Sequence, residues 1–156
     1  MLNSKMSVAI LTQHFYPDIP GTAKISTDLA LGFRNAGMNV VVHTGQPSFL
    51  SNDSLPSQEE YMGVTINRAY SSKISRRRQS GRALNMLIVA AITFLRLLRN
   101  PKPELILVDS TSPFLLITAW LIHKVKGIPY VFIVHDVYPE IAISIGVLKP
   151  TGLTTR

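Results

Sequence analysis

Short apolar runs that end abruptly in polar residues recur along this chain and alternate with longer stretches of helical periodicity. SVAILTQHF is the first: an apolar run closing on Gln13 and His14, the pattern of a strand buried in a parallel sheet. The turn YPDIPGTAK follows, with two prolines and a glycine. In ISTDLALGFRNAG, Ile25, Leu29, Phe33 and Ala36 then repeat at helical spacing, and Gly37 stands as the C-terminal cap. NVVVHTG is a second strand. Strand, loop, helix and strand in this order predict a crossover unit in a parallel sheet.

Residues 46–61 are rich in Ser, Pro, Asn and acid and read as a surface loop, and GVTINRAY reads as a further strand. A basic loop, SSKISRRRQSGR, leads into an apolar segment over residues 83–98 that has no strong breaker and predicts a helix. Residues 105–108 form a strand entered from the proline-rich turn PKP. The next helix is well marked, with Ser112 as N-cap, Pro113 at its first position, Gly127 just past its end and Pro129 as a stop. YVFIV is the last strong strand. The alternation predicts an α/β fold, a doubly wound, mostly parallel, Rossmann-like sheet.

In such sheets ligands bind beyond the carboxyl ends of the strands. Three polar features fall there: Gln13 and His14 with the loop from Pro17 to Thr22, then Asp109 to Ser112, then His135 to Glu140. The first loop carries no GxGxxG and no GxxxxGK[ST], so neither a dinucleotide fingerprint nor a Walker loop is present. Gly21 either lets backbone N–H groups approach an anion at a helix start or is only a turn residue. His135 either handles a proton or a hydroxyl in a site, or caps a strand. Asp136 and Glu140 share its surroundings, as acid and base or as helix caps. There is no G-x-S-x-G elbow to make Ser110 or Ser112 a nucleophile, and no HExxH or cysteine to suggest a metal.

Composition narrows the classes further. With 46% apolar residues and no low-complexity tract the chain is a folding one, and 156 residues are about one domain. The absence of cysteine excludes disulfide scaffolds and thiol nucleophiles. The start runs straight into a strand with no cleavage site, which predicts a cytoplasmic protein. The net charge of +7 is uneven, because no Asp or Glu lies between Glu60 and Glu104 while Arg68, Arg76, Arg77, Arg78, Arg82, Arg96 and Arg99 do. The basic loop has no aromatic stacking platform, so nucleic acid is not expected as a partner. Two readings remain: a solvated loop before a core helix, or contact with an anionic membrane. In the second, Arg76, Arg77, Arg78 and Arg82 flank an apolar segment shorter than the ~20 residues of a spanning helix, and Arg96 and Arg99 reach lipid phosphates.

Two blocks, ILTQHFYPDIPGTAKISTDLALGFRNAGMNVVVHTG and LILVDSTSPFLLITAWLIHKVKGIPYVFIVHDVYPEIAISIGVLK, resemble the N-terminal lobe of family 4 glycosyltransferases, in the bacterial branch that builds O-antigen, capsule and colanic acid. The second block is specific in the order of its parts: a strand ending in aspartate, a TSP helix start, a GIP turn and an HD-x-[WY]-P-E loop. The resemblance implies that residues 1–150 are one lobe of a two-lobed GT-B fold, incomplete at its C-terminal end, with the nucleotide-sugar lobe absent. It implies metal-independent, retaining transfer from a nucleotide-sugar donor to a glycan or polyprenyl-linked acceptor, without a cofactor, at the inner face of the plasma membrane. By the same resemblance Gly21, with Thr22 beside it, lies on the loop that approaches the donor phosphate, and His135 contacts the donor sugar. Asp136 and Glu140 belong to the loop motif. A lobe without its donor-binding partner is expected to be inactive alone. The rival expectation is a noncatalytic module that docks on a membrane or a partner.

Overall fold

A computed structural model describes residues 6–19, 21–47, 55–70 and 79–135. Nine elements follow one another along the chain. They are β1 (Ser7–Leu11), α1 (Gly21–Asn35), β2 (Asn39–Thr44), β3 (Gln58–Tyr61), β4 (Val64–Arg68), α2 (Gln79–Arg99), β5 (Leu105–Asp109), α3 (Pro113–Lys126) and β6 (Tyr130–Ile133). The strands form one six-stranded sheet in the order β3-β4-β2-β1-β5-β6. Every pair is parallel except β3 with β4.

Because β1, β2 and β5 are continuous apolar runs, both of their faces need cover. Alternate side chains serve two cores. Ala9, Leu11, Ile106 and Val108 pack with Val89, Ala90 and Leu97 of α2 and with Leu115, Ala119 and Ile122 of α3. Val8, Ile10, Val40, Val42, Val64, Ile66 and Leu107 form the core on the other face, where Ala30 of α1 joins them. The α/β, Rossmann-like, mostly parallel arrangement expected from the sequence is the one found.

Several local expectations hold and others need correction. Gly127 ends α3 in the left-handed region, at φ 66°, and its N–H donates to the His123 carbonyl at 2.8 Å. Pro113 opens the same helix, but the Ser112 hydroxyl makes no capping bond; its Oγ is buried without a partner. On α1 the buried residues are Ala23, Ser26 and Ala30, whereas Ile25 faces solvent, as does Ala36 just past the helix end. Small side chains let the helix lie close to the sheet, and the bulkier Leu29 and Phe33 fill its flanks.

Within the stretch read as a loop, Gln58–Tyr61 is an antiparallel edge strand. It turns into β4 through Met62 (φ 50°) and Gly63 (φ 80°), two positive-φ residues of the kind a tight two-residue hairpin requires. The helix expected over residues 83–98 is longer, a 21-residue α2 that begins at Gln79. By length and composition its segment Gly81–Arg99 is apolar enough to cross a membrane. Here it packs on α3 and on the sheet through Val89, Ala90 and Leu97.

Candidate functional site

The strand order reverses between β1 and β5: the chain passes from β1 to β2 on one side and from β5 to β6 on the other. At such a switch point the loops leaving the two central strands separate and open a crevice at their carboxyl ends. The polar residues expected at the strand ends meet there. The Gln13 N–H, just past β1, donates to Thr111 Oγ1 at 3.0 Å, past β5. Thr111 in turn donates both its N–H, at 3.1 Å, and its hydroxyl to Oδ1 of Asp109.

Asp109 is the last residue of β5 and is 4% exposed. Its second oxygen, Oδ2, accepts the Ser26 hydroxyl of α1 at 3.3 Å. Across the neighbouring strand, register places Ile133 beside Asp109, so the chain leaving β6 brings His135 to the same point. The His135 N–H is held by Ser110 Oγ at 3.0 Å, and the Ser110 N–H by the Ile133 carbonyl at 3.0 Å. The ring turns inward, with Nε2 3.9 Å from Asp109 Oδ2. That is beyond hydrogen-bond reach, and it becomes an ion pair when the imidazole is protonated. Nε2 is itself buried and makes no hydrogen bond.

The loop after β1 is braced on its other side. The His14 and Asp18 side chains pair at 2.9 Å, and the Thr12 hydroxyl donates to the His14 carbonyl at 2.9 Å. Arg68, fully buried at the end of β4, donates to the Tyr16 carbonyl at 2.6 Å and pairs with Glu59 of β3. Tyr16 stacks on Tyr61 with ring centroids 3.9 Å apart. The loop therefore sits on an ion pair and an aromatic stack and presents Gly21 at the start of α1.

Gly21 is not in the positive-φ region, and a β-carbon built on it would meet nothing within 4 Å. Neither backbone conformation nor crowding by the protein explains a glycine at this place. Thr22, half-buried, follows it on the first turn of α1.

A second polar cluster lies on the α2 side of the sheet. His43, at the end of β2, is buried, and burial first and the Arg96 guanidinium second lower its pKa from 6.5 to about 4. Arg96 Nη2 donates to the Arg68 carbonyl at 3.0 Å, and burial lowers the pKa of its guanidinium as well. Its Nη1 is buried, as are Thr93 Oγ1 and His43 Nδ1. Arg96 thus points under α2, which corrects the expectation that it reaches outward to lipid, while Arg99 is exposed.

Of the sequence-derived candidates, the structure joins His135 to Asp109 and sets Gly21 and Thr22 at the start of α1. Arg82 is exposed on the first turns of α2. Asp136, Glu140, Arg76, Arg77 and Arg78 lie outside the described residues. Sequence reasoning placed Asp109 at a strand end without giving it a role and missed Ser26 entirely. The available signal was the helical spacing of Ser26 with the small residues Ala23 and Ala30.

No family model matches this chain, and no curated protein matches it either. Among solved structures it is similar to the sucrose-phosphate synthase of Thermosynechococcus elongatus, with a TM-score of 0.69 at 12% identity. The likeness covers 94% of this chain and 36% of that one. At this identity it establishes the fold alone, an α/β Rossmann-like domain, and this chain spans about a third of the length of that one.

Proposed function

We propose that this chain is the acceptor-side lobe of a retaining, family 4 glycosyltransferase that moves a sugar from a nucleotide sugar to a polysaccharide or lipid-linked acceptor, as in O-antigen, capsule or colanic-acid synthesis. The observation that carries the reading is the approach of the His135 ring to Asp109, Nε2 to Oδ2 3.9 Å, at the switch point of the sheet, with open space at Gly21 on the first turn of α1. An imidazole, a carboxylate and an uncrowded helix N-terminus suit a ligand that has hydroxyls at one end and phosphate at the other. His135 meets the sugar in this reading, Gly21 and Thr22 face the phosphates, and Asp136 and Glu140 complete the loop.

The nucleotide sugar is a substrate, and the reaction needs neither a resident cofactor nor a metal. Stabilising the leaving nucleotide diphosphate calls for further donors and cations, which a second lobe would supply. The test is transfer from a panel of nucleotide sugars to polyprenyl-linked acceptors, by the 156-residue chain alone and with a donor-binding lobe joined to it or supplied in trans. No transfer is expected from the chain alone, and with the second lobe His135→Ala is expected to lower kcat/KM by roughly 100-fold or more. Transfer by the isolated chain at a rate comparable to the two-lobed form would defeat the reading.

A second reading, docking on the inner face of the plasma membrane with or without catalysis, is favoured by one feature. The α2–α3 layer contains no Asp or Glu, carries Arg82, Arg99 and Lys124 in exposed positions, and exposes Leu84, Leu87, Leu95, Ile117 and Trp120. An apolar surface whose charged residues, among those described on the two helices, are all cations matches an anionic bilayer. Flotation with vesicles containing anionic lipid should fall several-fold when Arg76, Arg77, Arg78 and Arg82 become glutamine. Unchanged flotation would remove the electrostatic role.

A further inference from the structure

The Asp109 carboxylate is nearly enclosed, and its two oxygens are used unequally. Oδ1 takes both donors of Thr111, while Oδ2 takes the Ser26 hydroxyl at 3.3 Å and keeps acceptor capacity to spare. The atom facing that spare capacity is His135 Nε2, buried, without a hydrogen bond and 3.9 Å away.

A buried ring nitrogen left unpaired carries its full desolvation cost, so a small rotation that brings Nε2–H onto Oδ2 is favoured. The closure needed is roughly 1 Å, set by the usual N–H···O length. The backbone leading to His135 is already held by the bonds from Ser110 to Ile133 and from His135 to Ser110, so rotation of the ring supplies the closure.

We propose that Asp109 is a positioning residue that fixes the tautomer of His135, holding the proton on Nε2 and leaving Nδ1 as a bare acceptor for the ligand. This rests on the reading of His135 as the residue that meets the sugar. An imidazole held in this way accepts from a hydroxyl and offers nothing to a phosphate oxygen, so His135 engages the polyol part of the ligand. Ser26 shares Oδ2 and thereby couples the first half of α1 to the orientation of the ring.

The test uses the full chain with 15N-labelled histidine and a long-range 1H–15N correlation spectrum above the titration of histidine, with His135 assigned from His135→Gln. The wild-type protein is expected to show the Nε2–H tautomer. Asp109→Asn keeps an acceptor for Thr111 and presents an amide N–H₂ to the ring, so it is expected to move the proton to Nδ1. A wild-type Nδ1–H tautomer, or the same tautomer in wild type and a folded Asp109→Asn, would overturn the proposal.

Ser26→Ala keeps the carboxylate and removes its competing donor, and it decides the matter should Asp109→Asn not fold. The Nε2–H proton should then move further downfield, and an unshifted proton overturns the assignment. The spectrum needs no substrate. An Nε2–H tautomer that depends on Asp109 in a two-lobed protein without transferase activity would sink the functional reading and leave this inference standing.

Discussion

Ser26 on α1 donates its hydroxyl to Oδ2 of Asp109 at the end of β5, a 3.3 Å bond between residues 83 positions apart. Both groups are buried, so the bond is made away from competing water and ties the helix to the strand edge where the site lies.

Removing one partner or the other should therefore have unequal costs. Asp109→Ala strands the Ser26 hydroxyl and both donors of Thr111, and should destabilise the fold by about 2–4 kcal/mol. Ser26→Ala leaves the carboxylate with Thr111 and should cost about 1 kcal/mol. Urea unfolding midpoints check the pair, and equal losses would mean that Thr111 contributes nothing to holding Asp109.

Gly21 supplies a sharper separation of binding from stability. With ordinary φ and open space where a β-carbon would stand, Gly21→Ala should leave stability unchanged or raise it, by up to about 1 kcal/mol, since alanine is the better helix former. If phosphate approaches the backbone here, the same methyl group should weaken ligand binding by roughly tenfold. Thermal melting and ligand titration on one variant distinguish the outcomes, and a variant with unchanged affinity would make Gly21 a turn residue only.

Helix α2 is long and apolar enough to span a membrane, yet its two sides differ. Leu97 is 2% exposed in the core, and Leu95, two positions earlier, is 47% exposed. If the helix packs on the sheet as described, Leu97→Ala should cost about 2–5 kcal/mol and Leu95→Ala less than about 1 kcal/mol by denaturant unfolding in aqueous buffer. Similar losses at both positions would mean that the outer face is also packed in solution.

The parallel strands and α3 were legible because their signals are local. A strand buried on both faces must be an unbroken apolar run, and Ser112, Pro113 and Gly127 mark the bounds of a helix by their own backbone chemistry. Strand β3 was hidden because QEEY is a polar edge strand that half faces solvent, and its turn uses Met62-Gly63 in place of Asn-Gly. The inward face of α1 was misread because close packing selected Ala23, Ser26 and Ala30 over the bulkier residues that periodicity favours. His135 was visible as a strand-end histidine. Its meeting with Asp109 depends on the register between β5 and β6, which no single segment encodes.

The burial of His43 could not be foreseen either, since a histidine at a strand end reads as solvated, yet it has a measurable consequence. Burial and the neighbouring Arg96 hold its pKa at about 4 in the folded chain, while the unfolded chain titrates near the ordinary histidine value of 6.5. Between these values the unfolded state binds the extra proton, so stability is intact above about pH 6.5 and declines as the pH falls, levelling off below about pH 4. The difference corresponds to about 3 kcal/mol. His43→Gln removes the titrating group, so the stability of the wild type relative to this variant should fall by that amount between pH 7 and pH 4, read from urea unfolding at each pH. Carboxylates titrate alike in both proteins and cancel in the comparison. A difference that does not change with pH would show that His43 is hydrated in solution and that Arg96 does not confront it.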